Sequence, residues 1–278
     1  MPYKDILVQI DAAATPARYQ IAAELAARAS GVLTGVYLKT TFINQFNNIG
    51  SVGYLPVDEL NRMIREHNQG QEADSAKSVA TLTGIAKSAG ARCDCRDIDG
   101  DLPDDLIAET RRADLVILPP PSPTPAYNVH ASAVDIALGG GGPVLIVPPK
   151  VARARIGDRV LLAWNGSREA ARALRDCLPM LAEGAVIEVR IARPKDGLHD
   201  DAAPLCRHLE RHGYRPNIVA IVDEGQPVAA WLSAEADRTG CDLIVMGLYG
   251  HARLQEFVLG GVSQEMLHAP SLPLLISH

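Results

Sequence analysis

The chain has 278 residues, is 47% apolar but only 4% aromatic, and carries a net charge of −6 with a pI near 5.7. That is long enough for two ordinary domains or one large one, with cores built mostly of Ala, Val, Leu and Ile, a composition suited to parallel α/β layers. No Lys/Arg-rich run is present, which argues against nucleic acid as a partner, and the longest apolar runs fall far short of the ~20 residues that span a bilayer.

In chain order, Lys4–Asp11 is a short apolar strand ending in an acid. Residues 16–30 form an Ala-rich helix that stops at Gly31, and Val32–Leu38 is the next strand. The Asn-rich stretch Lys39–Tyr54 has no clear period, and Pro56 opens a long helix towards Gly90, broken or loosened near Gly70. Arg92–Ile98 reads as a strand, and Gly100-Asp-Leu-Pro103 turns into a helix ending near Arg112. Asp114–Leu118 is a strand, Ala131–Leu138 a helix and Pro143–Val147 a strand. From Asp158 the order begins again. Arg159–Asn165 answers the first strand, Ser167–Leu181 is a helix, Val186–Ala192 a strand, Ala202–His212 a helix and Asn217–Val222 a strand. Gly225-Gln-Pro227 answers Gly100–Pro103, Cys241–Met246 answers Ala113–Leu118, and Pro273–Ile276 answers Pro143–Ile146. Five anchors in one order indicate an internal duplication. The expected fold class is α/β: two tandem five-stranded parallel sheets flanked by helices, with halves at 1–149 and 157–278 and right-handed crossovers.

The second half contains Gly247-Leu-Tyr-Gly250, nine further residues before Gly260, and a helix start at Val262-Ser263. Glycines between a strand and a helix let backbone N–H groups approach an anion closely, and the helix N-terminus adds its positive end. With the duplication, this spacing resembles the universal stress protein family, whose domain is related to the wider adenine-nucleotide α-hydrolase group. Its nucleotide-binding members carry Gly, two residues, Gly, nine residues, Gly, then Ser or Thr. Gly261 stands where that hydroxyl residue is expected, with Ser263 two positions later.

The resemblance implies ATP, or ADP or AMP, in the second half, with Mg2+ if the ligand is ATP. Backbone around Gly250, Gly260, Gly261, Val262 and Ser263 would cradle the phosphates, with charge from His251 and Arg253. Asn165, Gly166 and Ser167 would lie beside the sugar, Gly247 beneath it, and Ile191 and Met246 near the adenine. In the first half the loop reads Pro119–His130 with five prolines in its first seven residues; prolines lack the N–H donors, so the phosphate loop there is degenerate. Asp11 remains at the family's acid position, whereas the second half has Asn165 there. The expected role is an adenine-nucleotide-binding stress-response sensor or adaptor, not an efficient enzyme. A nucleotide-free interaction module and a slow ATPase are the alternatives. The resemblance also implies pairing of the two halves through the edge strands Pro143–Val147 and Pro273–Ile276, and it is compatible with a homodimer of the tandem unit.

Other features have blander readings. His208 and His212 are four apart with Cys206 nearby, yet no closed ligand set is evident, so an exposed helix face is favoured over a metal site. Cys93-Asp-Cys95 puts two thiols on one strand face, where packing is favoured over redox chemistry. No catalytic residue stands out, and Gly166-Ser167 lacks the glycine that follows the serine of a nucleophile elbow. Residues 39–70, with Phe42, Phe46 and Tyr54, are read as a loop tucked onto the sheet or between the halves; a lid over a first-half pocket with Asp11 at its base is the sharper alternative. Five irregularly spaced cysteines and a start without signal-peptide shape make a cytoplasmic protein the expectation.

Overall fold

A computed structural model describes residues 2–42, 56–99, 103–121, 132–192, 202–221, 227–248 and 261–278. Among the described residues each half has five strands and four α-helices. The first runs β1 (Asp5–Ile10), α1 (Pro16–Ala29), β2 (Val32–Lys39), α2 (Val57–Ala89), β3 (Arg92–Asp99), α3 (Pro103–Thr110), β4 (Leu115–Leu118), α4 (Ala133–Gly140) and β5 (Val144–Ile146). The second runs β6 (Arg159–Trp164), α5 (Arg168–Cys177), β7 (Val186–Ala192), α6 (Ala202–Arg211), β8 (Arg215–Ile221), α7 (Val228–Thr239), β9 (Leu243–Gly247), α8 (Gly261–His268) and β10 (Leu274–Ser277).

The ten described strands form one sheet in the order β3-β2-β1-β4-β5-β10-β9-β6-β7-β8. Pairing is parallel within each half and antiparallel where β5 meets β10, with Leu275 opposite Leu145. The edge strands expected to join the halves do join them. Central strands such as β4, Leu-Val-Ile-Leu, are buried along their whole length, as strands covered by helices on both faces must be. One core, beneath α1, α2, α5 and α6, runs from Tyr19 and Leu82 through Leu145 and Leu275 to Leu174 and Leu209. The other, beneath α3, α4, α7 and α8, runs from Leu106 and Ile136 to Leu232 and Met266.

The repeated Asp-Leu motif has a structural role in both copies. Asp114 accepts from the backbone N–H groups of Lys4 and Asp5 at 2.6 and 3.0 Å. Asp242 does the same for Gly157, Asp158 and Arg159 at 2.7, 3.0 and 3.1 Å. Each acid fastens the start of its half's fourth strand to the start of its first.

Two local expectations are corrected. The helix α2 is continuous through Gly70 for 33 residues, because its C-terminal half has a stripe of Ser75, Ser78, Leu82 and Ala86 buried against the sheet. The helix after Ser167 stops at Cys177 and passes into a 3-10 turn, Leu178–Met180, because Pro179 cannot continue it. Of residues 39–70, positions 43–55 lie outside the described residues, so the lid reading does too. The flanks are tied together: Gln71 both accepts from the Thr40 N–H at 2.7 Å and donates to its carbonyl at 2.8 Å. Phe42 is buried with its ring edge-on to His67. Among the described residues no helix is long and apolar enough to cross a membrane.

Candidate functional site

The C-terminal ends of parallel strands are where α/β sheets bind ligands, and the second half builds its candidate site there. From β6 the chain turns through Asn165, Gly166 and Ser167 into α5. Asn165 Oδ1 accepts from the Ser167 N–H at 3.1 Å, an Asx turn, and Gly166 takes φ +72°, a conformation that favours glycine. Ser167 is the N-cap of α5, its hydroxyl accepting from the Ala170 N–H at 3.1 Å. The Asn165 amide nitrogen remains as a donor; the carboxylate of an Asp would have supplied none.

Gly247, the last residue of β9, is fixed by this same helix. A Cβ there would sit 2.4 Å from the carbonyl carbon of Glu169 and 2.5 Å from the Ala170 nitrogen. The first turn of α5 therefore rests directly on the end of β9, which only glycine permits. Of the two residues expected near the adenine, Met246 is buried on the α7/α8 face, and Ile191 lies half-buried on the opposite face beside Trp164, its register partner. Both are at the C-terminal end of the sheet, but not side by side.

The helix N-termini distinguish the two halves. In the first, Ser132 caps α4 and forms a reciprocal box with Asp135: the Asp135 N–H donates to Ser132 Oγ at 3.2 Å, and its carboxylate accepts from the Ser132 N–H and hydroxyl at 2.9 and 2.7 Å. A carboxylate thus caps the N-terminus of α4. In the second half α8 opens Gly261-Val262-Ser263 with no acid in its first turn. Val262 is half-buried and Ser263 is buried. Gly250, His251, Arg253 and Gly260 lie outside the described residues, as do positions 122–130 of the first-half loop.

Asp11, the first half's acid, is paired with the Arg18 guanidinium, and its backbone exchanges hydrogen bonds with the Tyr19 hydroxyl. A cleft of about 570 Å³ lies elsewhere, between β3 and α3, lined by Lys39, Asp97, Asp105 and Glu109. Its acids oppose an anionic ligand, and Asp97 is already bridged to Lys39 at 2.7 Å. His208, exposed on α6, and His212, exposed just beyond its end, meet edge to face, and among the described residues no group of three potential ligands could hold a metal.

Sequence reasoning missed Glu169. It is buried at the start of α5, against Gly247. Burial alone would raise its carboxyl, but Arg168, its own backbone N–H and the Ser167 hydroxyl outweigh that and hold it below the usual range. The signal was available: an acid in the first turn after a serine cap is favoured by the helix dipole.

Residues 157–278 match the universal stress protein family. No curated protein matches the sequence. Among solved structures, a universal stress protein from Archaeoglobus fulgidus DSM 4304 aligns with a TM-score of 0.69 at 14% identity, over 98% of this chain and 96% of that one. A functionally unknown protein from Pseudomonas aeruginosa PAO1 gives 0.57 at 15% identity, over 99% and 92%. At these identities the likeness is one of fold, and it extends across both halves.

Proposed function

We propose, from the match of residues 157–278 to the universal stress protein family, that this half binds ATP or a related adenine nucleotide as a stress-response sensor or adaptor. The observation that carries the reading is the contrast between the two helix N-termini. The α4 end is filled by Ser132 and Asp135, whereas α8 begins without an acid. Among the described residues no acid stands in the first turn of α8, and a helix N-terminus after a glycine-rich connection attracts phosphate oxygens through its N–H groups and dipole. Backbone of Gly261, Val262 and Ser263 would meet the phosphates, and the Asn165 amide would meet a ribose hydroxyl. Any Mg2+ would arrive with ATP, held chiefly by its phosphates. Among the described residues no base is placed for rapid hydrolysis: Asn165 cannot act as one, and the nearby Glu169 is buried and engaged by Arg168, its own backbone N–H and the Ser167 hydroxyl.

Titration calorimetry of the full chain with ATP, ADP and AMP tests this. One site per chain is expected, weakened by ten-fold or more in Gly250→Asp, which sets a carboxylate among the phosphates. Phosphate release is expected to be no faster than in Gly260→Glu. Absence of binding at millimolar nucleotide, or binding unchanged by Gly250→Asp, would overturn the reading.

A further inference from the structure

Among the described residues β3 is an edge strand of the ten-stranded sheet, hydrogen-bonded to β2 alone. Two of the five cysteines, Cys93 and Cys95, alternate onto the same face of it, turned towards α2. Their sulfurs are 3.9 Å apart, with one S–H directed at the other sulfur. Both side chains are half-buried, so a small solute reaches them. The place of the inner thiol depends on a neighbour: a Cβ on Gly35, its register partner in β2, would lie 3.0 Å from Cys95 Sγ and 2.6 Å from Leu82 Cδ2. Glycine at that position leaves room for the sulfur.

We propose that Cys93 and Cys95 form a redox-active dithiol that a peroxide converts to an intrachain disulfide. The Cys95 thiolate attacks one peroxide oxygen, the O–O bond breaks, and the departing hydroxide leaves as water, giving a sulfenic acid on Cys95. The Cys93 sulfur then attacks the Cys95 sulfur, the S–O bond breaks, and the hydroxyl leaves as a second water with the Cys93 proton. Two thiols lose two electrons and two protons, and the peroxide is reduced to two waters.

The roles follow from the surroundings. Hydrogen bonding from Cys93 lowers the Cys95 thiol, aided by the Thr83 hydroxyl and the Gly35 backbone, although burial opposes them. Cys93, which supplies that hydrogen bond, is raised and acts second. Closing the bridge moves the sulfurs from 3.9 Å to about 2 Å, which needs χ1 changes and a slight pucker of the strand. An edge strand with one ladder partner accommodates this more easily than a central one. The remaining described thiols are placed otherwise: burial raises Cys177 and pushes Cys241 up to about 11, and Cys206 has no thiol neighbour within bonding reach.

The test treats the full-length chain with one equivalent of hydrogen peroxide and follows the peptide carrying both cysteines by mass spectrometry. It is expected to become lighter by two hydrogens and to regain them with dithiothreitol. Cys95 should alkylate about ten-fold faster than Cys206 at pH 7. Cys93→Ser is expected to stop at a Cys95 sulfenic acid trapped by dimedone, and Cys95→Ser to leave Cys93 reduced. Phenylarsine oxide, which bridges close thiol pairs, should bind the unaltered chain at one equivalent, a readout that needs no variant. Disulfides between chains, peroxide consumption unchanged in Cys95→Ser, or no arsenical bound would each overturn the proposal.

Discussion

Arg190 is a fully buried guanidinium in the middle of β7, and it shows how much of this fold depends on single polar partners. It donates to Glu235 of α7 at 2.8 Å and to Glu188 of its own strand at 3.2 Å, and Glu188 also accepts from Arg159 and Asn217. Arg238 grips Glu235 from the helix side through two bonds of 2.8 Å. A buried charge persists only when paired in this way. Hydrogen bonding by Arg238, then by Arg190, outweighs burial and holds Glu235 at about 2, below its ordinary 4.5. A carboxyl depressed in the folded state adds stability that is complete above the unfolded value and is lost as pH falls towards the folded one. Between pH 5 and 2 the chain should therefore lose stability through Glu235, and Glu235→Gln should remove that part of the loss. Urea midpoints at pH 7 and pH 3 check this: the gap between wild type and Glu235→Gln should narrow at pH 3, and an unchanged gap would refute it. The strand itself was legible from Val-Ile-Glu-Val-Arg-Ile-Ala. Its charged face was not, because the partner that makes Arg190 tolerable comes from a helix 45 residues later.

At the scale of elements, spacing in the sequence located nearly every strand and helix, since apolar periods of two and 3.6 survive folding unchanged. What it misjudged were elements decided by tertiary contact. The α2 helix crosses Gly70 because one glycine costs a helix about 1 kcal/mol and its buried stripe outweighs that. Among the described residues no atom outside the helix lies within 4 Å of a Cβ built on Gly70 or Gly84. Gly70→Ala should therefore stabilise the protein by about 0.5–1 kcal/mol through helix propensity and a smaller unfolded-state entropy. Thermal melts by circular dichroism read this directly, and a lowered midpoint would show that Gly70 serves a packing need. The candidate site divides in the same way. The glycine pattern marked the loop from sequence alone. The reason Gly247 must be glycine is the backbone of α5 resting on it, and the reason α4 differs from α8 is a capping box, neither of which a glycine count reveals.

At the scale of the molecule, the duplication places two edge strands where each covers the other's unpaired backbone groups. The joint is reinforced outside the sheet. Arg28 of α1 donates to the Met180 carbonyl at 2.6 Å and to that of Ile156, while Arg172 reaches the Gly141 carbonyl and Tyr3 the Asp176 carbonyl. Both hydrophobic cores also run through it. The two halves should therefore unfold together. Both tryptophans, Trp164 and Trp231, lie in the second half, so their fluorescence reports that half alone, whereas circular dichroism reports both. Leu145 in β5 is wholly buried opposite Leu275 in β10. Leu145→Ala should cost about 2–5 kcal/mol, by lost burial and a residual cavity. Although the change is made in the first half, it should shift the tryptophan transition and the circular dichroism transition by the same amount. A fluorescence midpoint that stays in place while circular dichroism separates into two steps would mean that the ten strands are two folding units in contact.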